Sequence, residues 1–117
     1  MRVIKFKGKT FEGFWVYGFY QEVESEGKVY SYIFWQGHTT PVIKETICQY
    51  TGLNDVNGTP IFEKDILNVG LRNKVVEYYK DGFWLNKKTE GANWNLRQYN
   101  NLYVVGNIID TPELLER

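Results

Sequence analysis

Gln49-Tyr50-Thr51-Gly52-Leu53-Asn54-Asp55-Val56-Asn57-Gly58-Thr59-Pro60-Ile61-Phe62-Glu63-Lys64-Asp65-Ile66-Leu67 is the most sharply specified stretch of this 117-residue chain. It reads as a half-apolar strand, a turn-rich connection and a second buried segment. Gly52, Gly58 and Pro60 punctuate it between two apolar anchors, Leu53 and the pair Ile61-Phe62. Gly52 and Asn57-Gly58 suit backbone positions with φ > 0, and Asn54 and Asp55 can bond their own backbone two residues on. Glu63 and Asp65 are the best paired acids in the chain. Such a pair can divide general acid and base work when its environments push the two pKa values apart. The stronger reading is structural, with Asp65 bonding turn amides.

Upstream, Phe14 to Tyr20 is aromatic or aliphatic at every position except Gly18. Such a run predicts a strand covered on both faces, with Gly18 at a bulge or a close approach. Glu22, Glu24 and Glu26 alternate before Gly27 turns the chain, and Val29 to Trp35 returns. This is a β-hairpin with an acidic, exposed tip. The first nine residues carry Arg2, Lys5, Lys7 and Lys9 between Val3, Ile4 and Phe6. Four such charges read as an edge strand whose lysines keep it soluble and block pairing, with a nucleic-acid arm as the competing reading. Gln36 to Pro41 reads as a loop, and Val42-Ile43 and Ile47 to Tyr50 as short strands.

Downstream, Asp65 to Val69 reads as a strand after a tight turn. Lys74 to Tyr79 and Phe83 to Leu85 flank Asp81-Gly82, a strong hairpin signal. Thr89 to Asn101, polar around Trp94 and Leu96, reads as a loop. Leu102 to Ile109 reads as a buried strand bulged at Gly106. Thr111 is a candidate N-cap, with Pro112 at the first helical position and Leu114 and Leu115 anchoring a short C-terminal helical turn.

Taken together, Gln-Tyr-Thr-Gly-Leu-x-Asp-x-Asn-Gly-x-x-Ile-Phe-Glu-x-Asp-Ile-Leu resembles the signature of the YopX family, small proteins of bacteriophages and prophages. The likeness extends to Trp15 to Tyr20 and Glu45-Thr46-Ile47, then to Val75 to Tyr78, Asp81 to Phe83, Val104 to Ile108 and Pro112 to Leu115. It departs from the family at Lys64, where glycine is usual between the acids, and this puts the turn before Asp65 in question. The pattern from Glu63 to Leu67 also resembles the opening of small SH3-like barrels. The resemblance implies a fold and a phage setting, in the cytoplasm of a bacterial host, and no reaction.

The fold expected is therefore mainly β, within a single YopX-like domain. An N-terminal aromatic hairpin layer (about residues 1–48) joins a C-terminal small SH3-like barrel (about 49–117). The length suffices to bury roughly two-thirds of the unfolded surface. Aromatics make up 17% of the chain, with nine Tyr, seven Phe and four Trp, which favours pleated, half-buried surfaces. The balance of 14 basic and 14 acidic residues argues against a general electrostatic nucleic-acid binder. No apolar run approaches membrane-spanning length, and no charged segment leads into an apolar one as a secretion signal does.

Cys48 is the only cysteine and reads as a small buried hydrophobe. His38 is the only histidine and reads as a loop residue, since one imidazole does not make a metal site. No phosphate loop, metal cluster or nucleophile motif is present, so neither an enzyme nor a cofactor is expected and no residue is assigned to catalysis or metal binding. Two binding readings remain. The first is a homo-oligomer, or a module for a phage or host protein, using a flat uncharged patch of Trp15, Tyr17 and Trp35. The second is single-stranded nucleic-acid binding through Lys74, Trp84, Lys87, Lys88, Trp94 and Arg97, where bases would stack on the indoles. The segment from Arg72 to Arg97 holds six basic and three acidic residues, a small excess.

Overall fold

In the computed structural model, which describes residues 5–70, 72–79, 82–85 and 102–115, the chain is mainly β, with no α-helix among the described residues. The described strands are β1 (Phe6–Lys9), β2 (Trp15–Ser25), β3 (Lys28–Trp35), β4 (His38–Val42), β5 (Cys48–Asn54), β6 (Pro60–Phe62), β7 (Asp65–Val69), β8 (Arg72–Tyr79), β9 (Gly82–Leu85) and β10 (Tyr103–Asn107). Single 3-10 turns cover Lys44–Thr46 and Pro112–Leu115. Two compact units meet in the sequence between Tyr50 and Thr51.

The first unit is built on the strand order β4-β3-β2-β1-β5. Its centre is the β2–β3 hairpin, paired from Phe19↔Phe34 to Ser25↔Lys28. Two residues close it, Glu26 at φ 53° and Gly27 at φ 78°. Positive φ at both positions gives the turn whose twist matches that of the strands. Gln36 and Gly37 repeat the device at φ 50° and 84°, so the segment read as a loop is a tight turn followed by strand β4, with Trp35 opposite His38. Gly37 at the second turn position was the signal for a hairpin that the loop reading passed over. Strand β4 lies at the sheet edge and carries Pro41, which has no N–H to offer an incoming strand.

Strand β1 is not an edge strand. It pairs with β2 through Phe6↔Gly18 to Lys9↔Trp15, and with β5 through Lys7↔Cys48. Its lysines therefore sit inside a sheet, and Lys7 is only 7% exposed. What makes this tolerable is an aromatic neighbour. The Lys7 ammonium stands 4.8 Å from the centre of the Trp15 ring, and that of Lys9 is 5.8 Å from the same ring. The charge pattern misled because it carries no information on which strands flank β1. Gly8 on the same strand leaves room for Ile47 and Val42, which a Cβ there would crowd.

The second unit holds β6 beside the later half of β5, and a four-stranded antiparallel sheet in the order β10-β7-β8-β9. Its core is Ile61, Leu67, Val76, Leu85 and Leu102, with Leu53, Val69, Phe83 and Val104 packed against them. Among the described residues the ladder is not closed between β9 and β10, so the sheet seen is open where a small barrel was expected. The hairpin expected at Asp81-Gly82 is present as β8–β9, but Gly82 is already in the strand, opposite Tyr79. Strand β10 bulges as expected, its register shifting between Val104 and Gly106. A Cβ on Gly106 would clash with the Thr111 side chain and stand 2.8 Å from Leu114 Cδ1. Contrary to a buried strand, β10 leaves Tyr103 and Val105 exposed, as suits its place at the sheet edge. The 3-10 turn that follows is held by Asn73 Nδ2, which donates to the Leu114 carbonyl at 2.9 Å.

Candidate functional site

Alternation along β2 sets Trp15, Tyr17, Phe19, Gln21 and Val23 on one face of the hairpin. Cross-strand partners share a face, so Phe34, Tyr32 and Tyr30 join them through Phe19↔Phe34, Gln21↔Tyr32 and Val23↔Tyr30. The result is an aromatic stripe along one side of the ribbon. It is open to solvent: Tyr17 is 52% exposed, Phe19 44%, Tyr30 44% and Phe34 40%. The expectation of a strand covered on both faces fails here, because Tyr17 and Phe19 are exposed on this face.

At the base of the ribbon a groove of about 490 Å³ opens, lined by Lys5, Tyr17, Ile33, Trp35, His38 and Thr40 among others. Gly18 makes it. A Cβ at residue 18 would overlap the Phe34 carbonyl oxygen and stand 3.0 Å from Trp35 Cβ. Without it Trp35 comes close to β2, its ring centre 6.0 Å from that of Phe19. Lys5 holds its ammonium 5.6 Å from the centre of the Trp35 ring. The volume lies within the range of small-ligand and side-chain pockets.

The three residues expected to form a flat uncharged patch are thus distributed differently. Tyr17 and Trp35 line the groove and are exposed, while Trp15 is half-buried beneath Lys7 and Lys9. The patch is also not uncharged, since lysines stand over both indoles. The stripe from Phe19 to Tyr30 was not singled out from the sequence, although period-2 alternation of aromatic positions was its signal.

The opposite face of the hairpin carries the acids. Tyr20 Oη donates to Glu22, and burial together with that carboxylate raises the phenol above its ordinary pKa. Lys44 lies 3.9 Å from Glu22. Every residue from 21 to 30 is exposed, so the tip with Glu24 and Glu26 projects into solvent.

Of the expected nucleic-acid contacts, Lys74 is 4% exposed within β8, which takes its ammonium out of reach of a phosphate backbone. Trp84 is half-buried on β9 opposite Glu77. Lys87, Lys88, Trp94 and Arg97 lie outside the described residues, as do Arg2, Lys80, Asp81 and the expected loop at 89–101.

In the second unit, the two aspartates of the signature are held by the backbone. Asp55 Oδ1 accepts from the N–H groups of Asn57 at 2.9 Å and Thr59 at 2.8 Å, and Oδ2 accepts from Val104 at 3.0 Å. Burial pushes this carboxyl up, but the three amide donors outweigh it and hold its pKa below the ordinary value. The first bond is the expected one, two residues on. Asp65 is buried and accepts from the Phe62 N–H at 2.8 Å, which bears out its role in the turn. Thr51 Oγ1 donates to the Ile61 carbonyl at 2.7 Å and accepts from Leu53 N–H. Lys64 occupies the turn at φ 73°, the conformation glycine favours. In the first unit, Cys48 is fully buried, its thiol donating to the Thr46 carbonyl.

The fold and these sites define an antiparallel β protein of two units, with its exposed aromatic surface in the first and a backbone-bound acidic turn in the second. The chain belongs to the YopX family, the match to YopX protein running over residues 5–116. Its fold is similar to that of protein EF1440 from Enterococcus faecalis, with a TM-score of 0.57 at 22% identity over 98% of this chain and 99% of that one. No curated protein matches the sequence.

Proposed function

We propose that this chain is a non-enzymatic binding and assembly protein of a phage or prophage, acting as a homo-oligomer in the cytoplasm of its bacterial host. One observation carries the reading: the cross-strand register places Phe19, Tyr30 and Phe34 on one exposed face of a projecting hairpin. Contiguous exposed apolar surface marks interaction sites, and aromatic side chains supply most contact energy at low entropic cost. A second copy is the occupant that fits best. Two such stripes are complementary by being apolar. The aspartates of the signature fit a structural role in this reading, because Asp55 gives both carboxylate oxygens and Asp65 one to backbone amides. An SH3-like barrel for the second unit belongs to the same proposal, supported by the polar turn at Glu63-Lys64 leading into the buried strand β7.

The test is molecular mass in solution for the full chain and for Phe34→Glu. An oligomer that becomes monomeric while keeping its β spectrum and unfolding midpoint is the expected result. A wild-type chain that is monomeric at high concentration overturns the reading. The second reading, single-stranded nucleic acid, now rests on the first unit, where Lys5 and Trp35 put a cation and an exposed indole in one groove.

A further inference from the structure

We infer that the groove at the ribbon base receives the acidic hairpin tip of a second copy of this chain, an inference that rests on the self-association just proposed and specifies its contacts. Three features meet. The groove is concave and mixed in character: Ile33, Tyr17 and Trp35 give it apolar walls, and Lys5, His38 and Thr40 supply donors. The tip is narrow, a two-residue turn at Glu26-Gly27 between paired strands, and Glu24 and Glu26 on it are exposed. The charges are complementary, since Lys5 is exposed and its ammonium already sits at the Trp35 ring face, within reach of an arriving carboxylate.

The tip cannot fill its own groove. From Tyr17 to Glu26 the strand runs on the order of 30 Å at about 3.3 Å per residue, and the β2–β3 ladder, paired from Phe19 to Ser25, keeps the ribbon extended. Occupancy is therefore in trans. A reciprocal exchange gives a closed two-fold pair in which the same surface serves both partners. Edge pairing at β4 competes poorly, as Pro41 has no N–H to give. The carboxylates steer the encounter and fix the register, while the apolar walls of the groove supply the area.

The experiment is a charge-exchange cycle on the full chain, read by sedimentation at low and high salt. Glu24→Lys with Glu26→Lys in one chain, and Lys5→Glu in another, should each weaken self-association about tenfold or more. Mixing the two variants should restore association through one matched tip and groove, and the wild-type assembly should loosen as salt rises. An oligomer whose strength is unchanged by either variant overturns this inference while leaving self-association standing. A wild-type chain that never associates overturns both. Should Lys5→Glu instead abolish quenching by a single-stranded oligonucleotide while the tip variant leaves association intact, the groove is a nucleic-acid site and the inference fails.

Discussion

Gly18 and the Phe34 carbonyl share space that no side chain could enter: a Cβ on residue 18 would overlap that oxygen. Because the obstacle is backbone, it cannot swing aside. Gly18→Ala should destabilise the first unit by about 2 kcal/mol through forced separation of β2 and β3, measured by urea unfolding. The groove should open as well, so Trp35 emission should shift to the red.

Lys64 is held in its turn at φ 73°, a conformation that costs a residue with a side chain more than glycine. Lys64→Gly should stabilise the protein by about 0.5–1 kcal/mol, the strain relieved less the greater freedom of glycine in the unfolded chain. Lys64→Ala keeps the strain and should leave stability near that of the wild type. A Gly variant no more stable than the Ala variant would refute the turn's assigned strain.

Asp55 is held by three backbone donors, two within its own turn and one from β10. Asp55→Ala orphans those N–H groups and should cost about 3 kcal/mol. Asp55→Asn, which keeps an acceptor oxygen, should cost less. A linear denaturant series on both variants checks the order.

The same carboxyl sets an acid limit. Its folded pKa lies below the unfolded one, so the charged form is preferred in the native state. The stability it contributes is present above the unfolded value of about 3.9 and is lost as pH falls through its lower folded value. Unfolding free energy should drop in that window for the wild type and fall less steeply for Asp55→Asn. Parallel curves would assign the acid sensitivity to other carboxyls.

For the nucleic-acid reading, a mixed-sequence single-stranded oligonucleotide should quench tryptophan emission with a saturable curve that weakens steeply with salt, because counterion release requires that slope. Absence of quenching at low salt removes the reading.

The sequence made much of this fold legible and left some of it hidden, for physical reasons that differ by residue. Gly27 marked its hairpin because a tight turn needs positive φ, a local demand that residue type reports, whereas Glu26 at φ 53° gave no such sign. Gly106 and Asp65 were legible for the same kind of reason. Lys7 was not: its burial is set by strands on both sides of β1 and by the Trp15 ring, and neither is local in sequence. Lys74 illustrates the same limit, since alternation tells which residues share a face but not which face is covered. The bond from Val104 to Asp55 could not be read either, as a carboxylate beside Asn57 and Thr59 already has local partners that account for it. At the candidate site, Tyr17 and Trp35 were identifiable as exposed aromatics, while the groove between them depended on a close approach at Gly18 that only the paired backbone defines.

That bond between residues 49 apart in sequence has a kinetic side. A contact closing so long a loop must wait until the intervening chain is ordered, because the entropy of bringing its ends together is spent before the bond returns anything. The two bonds inside the turn form early by comparison. Val104 should therefore seal the second unit late, after the barrier to folding has been crossed. Perturbing it by replacing Val104 with Pro, which has no N–H to donate, should then show itself almost wholly as faster unfolding, with the refolding rate nearly that of the wild type. In that sense the contact works as a latch, setting how long the folded chain lasts more than how quickly it arises.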